Sequence, residues 1–397
     1  MEAPELVETP EDLSAALEEL AHAKVLTVDT EFFWERTYDP LLCLVQVAAR
    51  DPQGKLTGFA IDPLAVDIDP LLRFLAEPTR LKVFHAARID LEILNRMLGA
   101  TLAPVYDTQR AAALLGFGHQ VGYARLVEEL VGKKPEKGEQ YSDWSKRPLR
   151  DAQIDYALAD VIPLMKCYEA LEGLLARSGR RAWLDEEQAP LTDPASYAPI
   201  PDRERYLKVK GSRALDRTSL AVLRELAAWR EDNARGRDIR PGFVLKDPAL
   251  LALARKQPTT KQGLEAVRGL HSSLVRRNGD ALLEAIQRGL DADPPASLRT
   301  KRPTVDVSAG VDLLKTYLSQ RSRELDVAQE VLATSSELEA LARRVAEGRD
   351  LDDCPLARGW RRELVGDEAL RLLRGEVSLA VGKGGKAIVL IERAAGR

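Results

Sequence analysis

Four prolines, Pro190, Pro194, Pro199 and Pro201, fall within twelve residues, and the chain reads differently on either side of them. Proline fixes φ and lacks an N–H, so such a run breaks helices and strands alike and predicts an extended linker, placed at about 187–203. Upstream, strand-like runs at Lys24–Asp29 (KVLTVD), Leu42–Ala48 (LCLVQVA), Gly58–Ile61 and Leu81–Phe84 (LKVF) alternate with stretches of helical spacing. Leu91, Ile93, Leu94 and Met97 after Asp90 are one such stretch, and 108–115 and 126–130 are others. That alternation predicts an α/β layered domain over residues 1–200.

Downstream the period is helical. Leu220, Leu223, Leu226 and Trp229 share one stripe, and Leu250, Leu253, Leu282, Leu283 and Ile286 continue it. DADPPASLRTKRP at 291–303 breaks the pattern, which predicts two all-α blocks at 212–291 and 304–375. Ser336 followed by Glu339 reads as a capping box opening a helix with Leu338, Leu341 and Val345 on its apolar stripe. From 376 to 397 the pattern is Val377–Val381, GKGGK, Ala387–Ile391, a β-hairpin about a glycine turn. GKGGK lacks the spacing and the Ser/Thr of a phosphate-binding loop and reads as a plain turn.

Charge divides along the same line. The chain of 397 residues carries a formal net charge of −4. Residues 201–397 hold 37 basic and 29 acidic side chains, which leaves 21 and 33 for residues 1–200. An acidic front and a basic back exclude a uniformly basic nucleic-acid coat and leave room for a basic accessory region. Cys43, Cys167 and Cys354 are far apart and without CxxC spacing, so neither a disulfide framework nor a zinc site is expected, and a reducing cytoplasm fits. An acidic N-terminus without an apolar run, and no long apolar stretch elsewhere, predict a soluble protein that stays off membranes.

Asp29-Thr30-Glu31 closes the first strand-like run. Positions i and i+2 of a strand face the same way, so the two carboxylates project together, and their repulsion calls for a cation. A hard divalent ion with oxygen ligands, Mg²⁺ or Mn²⁺, is the simplest one. Asp90 opens the helical stretch after LKVF, where a helix dipole favours an acid. Tyr156 and Asp160 stand at i and i+4 on one helical face, whereas Asp155 lies about 100 degrees round and faces elsewhere. His85 reads as a packing or supporting residue. Taken singly, each of these features also has a purely structural reading.

Together they resemble the ribonuclease D branch of the DEDD exonuclease superfamily, the branch with tyrosine in its third motif. The resemblance runs through VDTEF with LCLVQV (Leu42–Val47), FHAARIDLE, YDTQRAA (Tyr106–Ala112), SDWSKRPL (Ser142–Leu149) and YALAD, in the family's order and spacing, over about 20–290. It implies a ribonuclease H-like 3′-to-5′ exonuclease domain, a mixed sheet flanked by helices, followed by helicase-and-RNase-D C-terminal (HRDC) bundles. Ala228-Trp229-Arg230 and LEAVRGL (264–270) carry the likeness of the first bundle; the second is assigned by position.

The resemblance implies Asp29, Glu31, Asp90 and Asp160 as carboxylates for two divalent metal ions, with Tyr156 orienting or deprotonating the attacking water. Nucleoside 5′-monophosphates would leave singly from the 3′ end of RNA, with tRNA precursors as the expected substrate. Phe32 matches the position beside the terminal nucleotide, and Phe33 is divided between that role and the core. Trp144, Lys146 and Arg147, with Lys133, Lys134 and Lys137, form a basic, aromatic-bearing loop expected to face phosphates, with a plain solvated loop as the other reading of the three earlier lysines. Asp107 matches a family position and reads as a supporting residue, not a ligand. The rival readings are a 3′-to-5′ DNA exonuclease and a catalytically silent nucleic-acid-binding scaffold; the presence of all four acids and Tyr156 speaks against the latter.

Overall fold

The computed structural model describes residues 5–133, 138–298 and 305–393. In chain order the first elements are β1 (Leu6–Val7), α1 (Pro10–Leu20), β2 (Val25–Phe33), β3 (Leu41–Arg50), β4 (Leu56–Ile61), α2 (Asp69–Ala76), β5 (Leu81–Phe84), α3 (Arg88–Leu98), β6 (Val105–Asp107), α4 (Thr108–Ala113), α5 (Tyr123–Val131), α6 (Asp151–Ser178) and α7 (Arg181–Thr192). Six strands form one mixed sheet in the order β1-β4-β3-β2-β5-β6. β3 and β4 are antiparallel, while β2, β5 and β6 run parallel. β3 is buried along nearly its whole length, as a strand covered on both faces must be.

The proline-rich segment is less extended than its composition predicts. α7 continues through Pro190 to Thr192, and 3₁₀ turns occupy Pro194–Tyr197 and Asp202–Lys208. Leu184, Gln188 and Leu191 lie on the buried side of α7, and packing of that side holds the helix despite the missing donor at Pro190.

Beyond it come α8 (Arg217–Gly236), α9 (Pro241–Val244), α10 (Asp247–Lys256), α11 (Lys261–Glu265) and α12 (Ser272–Asp291). α13 (Ser308–Leu325), α14 (Gln329–Leu332), α15 (Ser335–Ala346), α16 (Gly359–Arg361), a π-turn at Arg362–Gly366 and α17 (Asp367–Leu373) follow. The chain closes on β7 (Val377–Val381) and β8 (Ile388–Glu392), an antiparallel pair whose connecting turn has Gly384 at φ 83° and Gly385 at φ 70°. The capping box of α15 lies two residues earlier than the sequence predicts. Thr334 is the N-cap and Glu337 returns the bond to its N–H, the frame that turns Leu338 and Leu341 into the core.

The chain divides into two compact units. One takes the chain up to Glu31, Leu42–Tyr197 and everything from Val305 on; the other takes Phe32–Leu41 and the stretch beginning at Ala198. Within the first, a single apolar core joins Val83, Tyr106, Leu114, Leu171 and Leu184 to Leu314, Leu332, Leu341 and Trp360. The later helical block therefore shares the core of the sheet domain. The second unit has its own core around Leu223, Leu226, Leu250 and Leu282.

Candidate active site

β2 delivers Asp29 and Glu31 to one face, as the strand period requires, and α6 delivers Asp160. One carboxylate oxygen from each of the three lies within 4.8 Å of the others. Asp90, in the first turn of α3, is buried at 7% exposure and accepts a 2.5 Å hydrogen bond from the Thr30 hydroxyl. The structure thus gathers three of the four expected acids, with the fourth on the flank, near enough for its charge to act on Asp29 and Glu31.

Burial holds all four groups above their ordinary values, and the charges of the other acids add to it at Asp29 and Glu31. Glu31 is pushed up to about 8, through burial and then the charges of Asp160 and Asp90. Burial lifts Asp160 to about 7 against a hydrogen bond from Tyr156 that lowers it, and Asp90 to about 6 against the Thr30 bond. Asp29 is raised by burial and then by Asp90, Asp160 and Glu31. Among the described residues no lysine or arginine pairs with the three-acid group, so the donor set fits a hard divalent ion. Tyr156 is driven further from ionisation by burial and the neighbouring carboxylates, which suits a hydroxyl that donates to Asp160.

Two devices fix this geometry. Pro163 lies inside α6 and cannot bond to the carbonyl of Ala159, and the Tyr123 hydroxyl donates to that carbonyl at 2.8 Å. Thr27 of β2 donates to Val161 O at 2.8 Å, tying the strand of Asp29 to the helix of Asp160. The β5-to-α3 turn carries Ala86 at φ 61°, a strained value for alanine. Asp107 holds that turn by accepting from the N–H groups of Ala86 (3.0 Å) and Ala87 (3.1 Å), and it also caps α4. His85 bonds with the Thr108 hydroxyl and Val121 O, so it supports the turn. Sequence reasoning had no signal for Thr27, Thr30, Tyr123 or Gln188, whose roles arise from partners distant in the chain.

The basic loop is put to a different use than its composition predicts. Trp144 is buried at 3% exposure, its ring 6.2 Å from that of Tyr156. Arg147 makes a two-pronged ion pair with buried Asp62, at 2.5 and 2.6 Å, and donates further to Cys43 O and Trp144 O. These two side chains anchor the loop to the fold and are not free to meet phosphate. Lys146 is exposed and 3.6 Å from Asp143. Lys134 and Lys137 lie outside the described residues. Lys133 is exposed, and Phe32 and Phe33, the last residues of β2, are half-buried. Asp155 is exposed, away from the acids.

Comparison with known proteins identifies the domains and the family. Residues 4–176 match the model of a 3′-5′ exonuclease domain, and residues 219–286 match the HRDC domain. The chain is 39% identical to ribonuclease D of Nitrobacter hamburgensis over 98% of its own length and 100% of the relative's. It is 42% identical to ribonuclease D of Granulibacter bethesdensis, over 98% and 96%. The crystal structure of Escherichia coli RNase D, described as an exoribonuclease involved in structured RNA processing, superposes with a TM-score of 0.79 at 28% identity, covering 95% of this chain and 99% of that one. The catalytic core of RRP6 from Trypanosoma brucei gives 0.58 at 27% identity over 72% and 79%. The carboxylate site, the sheet that carries it and this full-length likeness have one conclusion: the chain belongs to the ribonuclease D family of 3′-to-5′ exoribonucleases.

Proposed function

We propose that this exoribonuclease trims the 3′ ends of tRNA precursors in the cytoplasm, releasing nucleoside 5′-monophosphates with two Mg²⁺ or Mn²⁺ ions held by Asp29, Glu31, Asp90 and Asp160. The observation that carries the reading is the three-carboxylate group of Asp29, Glu31 and Asp160 with the Tyr156 hydroxyl bonded beside it. When bound, such a pair of ions supplies charge stabilisation for both the attacking and the leaving oxygen of an in-line displacement. The chain's own contribution is to keep four acids on rigid elements, so that little reorganisation is needed on binding. Asp90 keeps one carboxylate oxygen on the Thr30 hydroxyl and has the other left for an ion.

Tyr156 orients the attacking water by its hydroxyl and does not act as the base, since its surroundings favour the neutral form. Phe32, at the end of the strand that bears Glu31, stacks on the terminal base, and Lys146 supplies a phosphate contact. Trp144 and Arg147 serve RNA only indirectly, by holding the loop that bears Lys146. Within this reading the exonuclease domain covers residues 1–200, and HRDC-type bundles cover 212–291 and 304–375.

Matched RNA and DNA oligonucleotides with labelled 3′ ends, incubated with Mg²⁺, test it. RNA should yield 5′-monophosphates one at a time. Asp29→Asn or Asp160→Asn should lower that release by at least about 100-fold while the circular dichroism spectrum is kept. Release from DNA alone, or more than a few percent of activity in either variant, would overturn it.

A further inference from the structure

The second unit presents an aromatic and basic surface that the carboxylate chemistry does not use. Among the described residues Trp34 is the exposed tryptophan, at 40%, and Phe243 the exposed phenylalanine, at 64%. Arg240 joins them. Its guanidinium lies over the Trp34 ring at 5.5 Å, and its carbonyl accepts the Phe243 N–H at 2.9 Å. Arg36 and Arg237 are exposed nearby in the chain, as are Glu35, Asp39 and Asp238.

The segment bearing Trp34 is pinned. The indole N–H donates to Tyr38 O, the Tyr38 N–H donates to Asp238, and the Tyr38 hydroxyl donates to Glu231 of α8 at 2.9 Å. Arg235, paired with Asp202, lies over the Tyr38 ring at 5.3 Å. A large aromatic surface held rigidly in water is costly for a fold that could have buried it. Its geometry suits a partner that is flat, apolar on its faces and anionic along its spine. Unpaired nucleobases fit that description, because every base has a π-face that stacks on Trp, Phe or Arg whatever its sequence.

We propose that Trp34, Arg240 and Phe243 form a stacking platform for the unpaired bases of single-stranded RNA. The proposal rests on the reading that RNA is the substrate, and it adds a binding site on the second unit. Trp34 follows Glu31 by three residues, so one stretch of chain supplies both an acid of the site and a stacking ring. An apolar protein partner would leave Arg240 unmatched, whereas an RNA spine pairs with it.

The test uses the full chain in EDTA, which prevents turnover, and a 5′-fluorescein oligoadenylate of about a dozen nucleotides read by anisotropy. Trp34→Ala and Phe243→Ala should each weaken binding by roughly 5- to 100-fold, the range expected for loss of one stacked base. Trp34→Phe should retain most of the affinity. Arg240→Ala should flatten the slope of log affinity against log salt by about 0.7, while the aromatic substitutions leave that slope unchanged. Thermal melting checks that the variants remain folded. A folded Trp34→Ala/Phe243→Ala variant binding within twofold of wild type overturns the proposal, as does a wild-type chain that fails to bind the oligonucleotide. That outcome would make the surface one for a protein partner. Binding is read without turnover, so a chain that binds but releases no nucleotide sinks the nuclease reading and leaves the platform standing.

Discussion

Half-buried carboxylates that face one another burden a fold that must form before any ion arrives. Unfolded, Glu31 and Asp160 ionise near 4.5 and 3.8; folded, they hold their protons to about 8 and about 7. Between those limits the folded state binds more protons than the unfolded one, so stability falls as pH rises and levels off above about 8. In EDTA the melting temperature should therefore drop by about 5 °C or more from pH 5 to pH 8, and Mg²⁺ should restore it chiefly at the upper end. A flat profile, or one that rises with pH, would show that burial does not hold the protons on Glu31 and Asp160. At this scale the sequence was legible where local spacing decides direction. Asp29 and Glu31 follow from i and i+2 on a strand, and Tyr156 with Asp160 from i and i+4 on a helix. Trp144 and Arg147 were not legible in this way. Composition marks a basic aromatic loop, but Asp62, Arg147's partner, lies 85 residues away.

Elements position the site through bonds that no short motif announces. Asp90 stands in the first turn of α3, and the turn before it is kept in shape by Asp107 at the end of β6. The Asp107 N–H in turn donates to Gln188 of α7, and Arg110 donates to Glu187 O in the same helix. Glu187 is also the partner of Arg361, at 2.6 Å, and of the Trp360 indole N–H. The later helical block, α7, β6 and the turn before Asp90 thus form one continuous path of contacts. Asp107→Asn replaces an acceptor oxygen with a donor facing backbone N–H groups. It should cost about 1–3 kcal/mol of stability in chemical denaturation and slow nucleotide release, although the side chain touches no carboxylate of the site. Unchanged stability and turnover would show that the Ala86 conformation stands without it. Alternation of strand and helix signals made the elements readable in advance. The extent of α7 was not, because proline density reports a lost donor locally and the packing of Leu184 and Leu191 outweighs it.

Across the molecule, the acidic front and basic back suggest a catalytic half with a detachable binding half, and the cores do not divide that way. Trp360 stacks on Trp183 with ring centroids 5.1 Å apart and 14° between planes, and Arg180 donates to Leu325 O. Leu314, Leu332 and Leu341 belong to the same apolar core as Leu114 and Leu171. Helical periodicity gave the block's elements but could not say which surface its apolar stripes would meet, since two helical blocks in sequence read alike. The consequence is a specific failure on truncation. A chain ending at Pro201 keeps every candidate catalytic residue but exposes the face of α7 and its neighbours that the later block covers. Each large apolar side chain returned to water costs about 1.5–3 kcal/mol, and a domain's whole stability is about 5–15 kcal/mol, so a few such side chains suffice to unfold it. The fragment should show no cooperative melt, or one far below that of the full chain, and should bind a dye for exposed apolar surface. A fragment that melts within a few degrees of the full chain would mean that the sheet domain carries a sufficient core of its own, and that the later block is attached to it without supporting it.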